Sequence, residues 1–161
     1  MQLPTGVAGC TLLLSQIMAH FEKHSILHEA QHGFRKGRSC ESQLILTTYD
    51  LAKGLNDKSQ IDAVLLDFSK AFDKVPHRRL LQKLDHYGVR GETSAWISAF
   101  LSGRSQRVVC EGFTSSPAAV ISGVPHGTVL GPLLFLAYIN DLPDCVQSTP
   151  CLLYTSPSPR D

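Results

Sequence analysis

The stretch Ala63-Val64-Leu65-Leu66-Asp67-Phe68 constrains this chain more than any other. Its apolar residues run on without alternation, the pattern of a strand covered on both faces, so the sequence predicts a central strand over 63–68. Strands of that kind lie in sheets packed under helices, which points away from an all-helical bundle. The aspartate near the end of the run adds a chemical constraint. Its carboxylate meets a large desolvation penalty unless it reaches a strand exit or binds a cation. A hard cation such as Mg²⁺ takes oxygen ligands, and a carboxylate at a strand end is a common way to supply one. Metal ligation by Asp67 therefore stands beside turn capping and a salt bridge. For Asp73, six residues on, capping the turn or pairing with Lys74 or Arg78 is the leading reading.

Helical periodicity supplies the rest of the frame. Residues 15–25 place Ile17, Met18 and Phe21 on one face. Ser39 is suited to N-cap a second helix carrying Ile45, Tyr49, Ala52 and Leu55. Pro76 precedes a third, with Leu80, Leu81, Leu84 and Tyr87, which Gly88 stops. Residues 92–101 form a fourth, turning Trp96, Ile97, Phe100 and Leu101 inward and ending at Gly103, and 133–139 form a fifth, broken from Asn140. Between them, 106–110 and 118–121 read as paired strands joined by a turn over 112–117. The fold class expected is α+β.

Composition narrows the function classes. With 43% apolar residues, 12 Gly and 9 Pro, the 161 residues are neither collagen-like nor a disordered tail nor a long coiled coil, and they suffice for one domain. Lys and Arg number 15 against 14 Asp and Glu, but over 33–107 there are thirteen basic and eight acidic residues. That basic middle admits a polyanionic partner, with an unevenly charged solvated face as the alternative. Five cysteines without a CxxC pair support neither a disulfide framework nor a zinc cluster, and a reducing, intracellular setting is the simpler expectation. No run approaches 18 apolar residues, so no membrane partner is expected. No GxGxxG follows a strand and no GxxxxGK[ST] occurs, which leaves dinucleotide and P-loop sites without their marks.

Two further clusters invite a reading. Gly123, Gly127 and Gly131 fall four residues apart around Pro125, in a loop whose backbone can approach a ligand and whose N–H groups can hold phosphate; an ordinary structural loop is the alternative. His20, His24, His28 and His32 recur at helical spacing, where a solvated histidine face is favoured over a metal ladder.

Taken together, three segments resemble the motifs of non-LTR retrotransposon reverse transcriptases, with jockey- or CR1-like elements as the group suggested. Gln31-His32-Gly33-Phe34-Arg35-Lys36-Gly37-Arg38-Ser39 is similar to the fingers motif. Leu65-Leu66-Asp67-Phe68-Ser69-Lys70-Ala71-Phe72-Asp73-Lys74-Val75-Pro76-His77 resembles the first palm motif. Residues 122–135, Ser-Gly-Val-Pro-His-Gly-Thr-Val-Leu-Gly-Pro-Leu-Leu-Phe, resemble the second, and 138–143 continue the pattern. The likeness implies a partial right-hand polymerase fold, fingers and part of the palm, over 15–148. Residues 1–14 do not match, and the proline-rich 149–161 reads as unrelated or read-through sequence.

The same resemblance implies an RNA-directed DNA polymerase that adds deoxynucleotides to a primer 3′-end. Its partners would be an RNA template and a DNA primer, its cofactor Mg²⁺, and the nucleus is open to the parent element. Asp67 would be the catalytic metal ligand, and Phe68 would help hold the nucleotide-side ion through its carbonyl. Phe72, His126 and Gly127 would lie at the incoming nucleotide. Arg35, Lys36 and Arg38 would contact template or phosphate. Two departures stand out within the motifs: His126 where relatives carry Gln, and Thr128 where they carry Ser. The adjacent aspartate pair of the family is absent from the 161 residues, so the chain alone is expected to be inactive. The alternatives are a non-catalytic RNA- or DNA-binding remnant and an unstable fragment without function.

Overall fold

The computed structural model describes residues 7–146. In chain order the elements are α1 (Val7–Lys23), α2 (Cys40–Asn56), α3 (His77–His86), α4 (Gly91–Leu101), β1 (Ser105–Gln106), β2 (Val109–Cys110), β3 (Phe113–Thr114), β4 (Ala118–Ala119) and α5 (Leu130–Ile139), followed by a 3₁₀ turn at Pro143–Cys145. The architecture is mixed α/β, helices with small strands. The tail assigned to 149–161 lies outside the described residues. The described residues fall into two compact units, residues 7–26 with Ser69–Ile139, and Leu27–Phe68 with residues 140–146.

The first unit is built on α5. Its sequence is apolar all round, which only a helix enclosed by others tolerates, and Leu130, Leu133, Leu134, Phe135 and Leu136 are all buried. α1 and α3 pack on α5, and α4 packs on α3. Each contributes a stripe at four-residue spacing, Leu13–Ile17–Phe21, Leu80–Leu84 and Ile97–Leu101. Each such side chain adds about 1.5–3 kcal/mol on full burial. The first stripe begins at Leu13, so α1 starts well before residue 15. Trp96 and Phe100, expected to face inward, are only half-buried and stack on one another at 5.3 Å.

Two local features differ from expectation. α5 begins at Leu130, not 133, because Pro132 falls in the first turn, where no N–H is needed. The paired strands form a ribbon with two short antiparallel ladders, β1 with β4 and β2 with β3. Its tight turn is Glu111-Gly112, both at positive φ (50° and 83°), the mirror-image geometry that suits two-residue hairpins.

In the second unit, α2 has the expected cap. The Ser39 hydroxyl accepts from Ser42 N–H at 3.1 Å and the Ser42 hydroxyl accepts from Ser39 N–H at 2.9 Å. Ile61 returns against Gly54, where a Cβ would stand 2.6 Å from its Cδ1. The predicted central strand is absent. Residues 61–68 carry no strand pairing, and Val64, Leu65 and Leu66 are 83%, 92% and 75% exposed. A strand requires a neighbour's N–H and C=O groups. Among the described residues the ladders belong to the ribbon alone, so this apolar run has nothing to pair with and faces water.

Candidate functional site

In the first unit, the turn after residue 69 and the 123–131 loop are tied together through backbone. Val124 N–H donates to the Phe72 carbonyl at 2.9 Å, and Gly123 N–H to the Val75 carbonyl at 2.8 Å. The Ser122 hydroxyl donates to the Asp73 carbonyl at 2.8 Å. The contact is so close that a Cβ on Gly123 would stand 2.8 Å from both the Cα and the carbonyl oxygen of Asp73, and Gly123 holds φ +88°.

Side chains extend this junction. His126 Nε2 lies 3.1 Å from Asp73 Oδ1, both groups more than half exposed, so the pair itself adds at most about 1 kcal/mol. Asp73 thus pairs with His126, not with Lys74 or Arg78. The His126 ring lies 4.9 Å from that of Phe72, which is buried and stacks on Phe135 at 4.7 Å. The Thr128 hydroxyl donates to the Pro125 carbonyl at 2.9 Å and accepts from Gly131 N–H at 3.1 Å, a role that serine would also fill. Gly127, at φ +70°, borders open space. Phe72, His126 and Gly127 are therefore brought together around one loop.

Below the loop is a clamp that the sequence did not announce. The Gly123 carbonyl accepts from Arg104 Nη2 at 2.6 Å and lies 2.8 Å from His77 Nε2. His77 Nε2 also lies 3.2 Å from Arg104 Nη2, so it donates to the Gly123 carbonyl in one tautomer and accepts from Arg104 in the other. Burial lowers the pKa of Arg104, whose Nε also donates to the Leu101 carbonyl at 3.0 Å. Arg104 follows a helix-ending glycine and carries no motif; only packing brings it to the loop.

The second unit holds the other expected residues. Asp67 and Phe68 lie in the exposed segment that forms neither helix nor strand, so the burial expected for Asp67 is not met. Arg35 and Arg38 are both engaged within the 27–42 segment. Arg35 Nη1 donates to the His28 carbonyl at 3.2 Å and weakly to that of Gln31 at 3.4 Å. Arg38 donates to the Glu29 carbonyl and, at 2.5 Å, to the Glu29 carboxylate. Lys36 is exposed. The Asn140 side chain accepts from His28 N–H at 2.8 Å, fixing the start of the segment. His32 is buried, with Nδ1 at 2.8 Å from the Ser42 hydroxyl, and burial lowers its pKa. The histidines do not form one solvated face, since α1 ends at Lys23 and His20 Nε2 is held 2.8 Å from the Tyr87 carbonyl.

A magnesium site is not completed by these residues. Among the described residues, no three His, Cys, Asp or Glu side chains gather in a metal-binding group, and Asp67 offers a single carboxylate. Nor is any helix among them long and apolar enough to cross a membrane.

Comparison with known proteins supports the family that the sequence resembles. The family described as reverse transcriptase (RNA-dependent DNA polymerase) matches residues 10–155. Similar proteins include the probable RNA-directed DNA polymerase from transposon BS of Drosophila melanogaster, 32% identical over 82% of this chain and 14% of its own length. The RNA-directed DNA polymerase from mobile element jockey of Drosophila funebris is 31% identical over 83% and 14%. A Pol polyprotein from type-1 retrotransposable element R2 of Popillia japonica is 33% identical over 86% and 20%. The chain thus spans about a fifth or less of the length of these relatives. No solved structure matches it.

Proposed function

We propose, since the chain belongs to the reverse transcriptase (RNA-dependent DNA polymerase) family, that it carries the template- and nucleotide-facing share of a retrotransposon RNA-directed DNA polymerase. Residues 27–56 are fingers, and the turn after residue 69 with the 123–131 loop is part of the palm. One observation supports this above the others. The two motif segments that share the nucleotide in the family are joined here by Val124 N–H to Phe72 O and Gly123 N–H to Val75 O. Phe72 is the aromatic floor of the nucleotide site, and His126 and Gly127 are its rim. Arg35, Lys36 and Arg38 form the basic turn that meets template or phosphate.

Asp67 is a magnesium ligand in the parent enzyme. Two-metal phosphoryl transfer needs more carboxylates than one, and the chain carries no adjacent aspartate pair, so it holds nucleic acid without extending a primer. The purified chain is mixed with an RNA template annealed to a DNA primer, Mg²⁺ and deoxynucleotides. Binding that weakens steeply between about 50 and about 300 mM salt, without extension, is the expected result. Affinity independent of salt refutes the binding, and template-dependent extension refutes the inactivity.

A second reading, an unstable fragment, is favoured by the exposed apolar run Val64-Leu65-Leu66. A cooperative thermal transition in circular dichroism eliminates it.

A further inference from the structure

We infer that the Glu29 carboxylate occupies a phosphate position on Arg38, so that Glu29 sets how strongly the 28–38 turn holds phosphate. The inference rests on the nucleic-acid reading above and adds a residue to it that no motif contains.

The guanidinium of Arg38 meets Glu29 twice, at the backbone carbonyl through Nη1 and at the carboxylate through Nη2. The two contacts differ in kind. The carbonyl contact places the guanidinium and is independent of the side chain at position 29. The carboxylate contact is a single charge-assisted bond from Nη2 to one carboxylate oxygen, a donor that can equally take a phosphate oxygen. Glu29 is 84% exposed while Arg38 is 24% exposed. The anion therefore sits on the solvent side of the cation, where an incoming phosphate would arrive.

The surroundings favour an anion at that place. Glu29 is held below the usual carboxylate range first by its bond to Arg38 and its charge, with Arg35 and His28 adding to the pull. Positive potential also reaches His32, whose lowered pKa owes most to burial and then to Arg38 and Arg35. Lys36 stands exposed between the two arginines in the sequence. Exchanging one carboxylate for a phosphate costs little here, because a solvent-exposed ion pair is weak. Glu29 thus weakens indiscriminate anion binding without preventing it.

The test compares wild type, Glu29→Gln, Glu29→Ala, Glu29→Gln with Arg38→Gln, and Asp50→Asn as a control that removes the same charge from α2. Each is checked for unchanged circular dichroism and titrated with single-stranded poly(U) RNA and with inorganic tripolyphosphate. Both Glu29 variants are expected to bind about three- to tenfold tighter at about 50 mM salt, with a log K against log salt slope steeper by about 0.7 for RNA. The double variant loses that gain. A gain for tripolyphosphate as well as RNA assigns the position to a terminal phosphate chain; a gain for RNA alone assigns it to the backbone. Equal affinity of wild type and Glu29 variants for both probes overturns the inference, as does an equal gain from Asp50→Asn. If wild type still binds RNA in that case, the proposed function survives. If RNA is not bound by any chain but the Glu29 variants gain affinity for tripolyphosphate, the proposed function falls and the inference stands.

Discussion

Gly123→Ala tests the junction between the 69–76 turn and the 123–131 loop. At φ +88° an added Cβ puts a side chain in the left-handed region, which costs about 1–2 kcal/mol. The new atom would also lie 2.8 Å from Asp73 Cα and 2.8 Å from Asp73 O, both backbone and unable to swing aside. Relieving that contact separates the two segments and weakens the hydrogen bonds Gly123 N to Val75 O and Val124 N to Phe72 O, each worth about 1 kcal/mol. The summed loss is about 3–4 kcal/mol. Gly127→Ala is the matched control, because Gly127 has φ +70° but no atom near its Cβ position, and its loss is backbone strain alone, about 1–2 kcal/mol. Urea unfolding followed by the fluorescence of Trp96, the single tryptophan, reads the difference as a shift in midpoint at constant slope. Equal midpoints for the two variants would refute the steric account of the junction.

Three other outcomes follow from the geometry. Ser39→Ala removes one half of the capping box on α2 and should lower stability by about 1 kcal/mol, read in the same urea experiment. Burial holds the His32 pKa below its ordinary 6.5, so the unfolded chain takes up the proton first as pH falls; stability should drop below about pH 6.5 and through the lowered folded value, and His32→Gln should flatten that portion of the curve. Asp67→Asn should leave the unfolding midpoint within about 0.5 kcal/mol of wild type, because the residue is exposed, yet abolish synthesis when made at the matching position of a full-length relative; a large loss of stability in this chain would show that Asp67 has a structural role.

The legible parts of the fold are those decided within a few residues. Ser39 caps α2 through Ser42, three positions away, and Leu80 with Leu84 buries one face of α3 as its spacing requires. Thr128 serves the start of α5 through Pro125 and Gly131. The ribbon is legible as two extended runs, but its turn falls at Glu111-Gly112 rather than over 112–117, where turn-forming residues are denser. The run at 63–68 departs from its pattern for a deeper reason. Apolar continuity measures an appetite for burial, and here no described neighbour satisfies it.

The buried stripes of the helices, the Ser39 cap of α2 and membership of the reverse transcriptase family were all written in the chain itself, because each depends on residue identity and short spacing. The partners of the site residues were not. His126 meets Asp73 across 53 positions, Arg104 reaches Gly123 across 19, and His28 is tied to Asn140 across 112. Hydrogen-bond donors and acceptors are interchangeable along a sequence. Which of them meet is decided by packing, around α5 in the first unit and through the capped segment in the second.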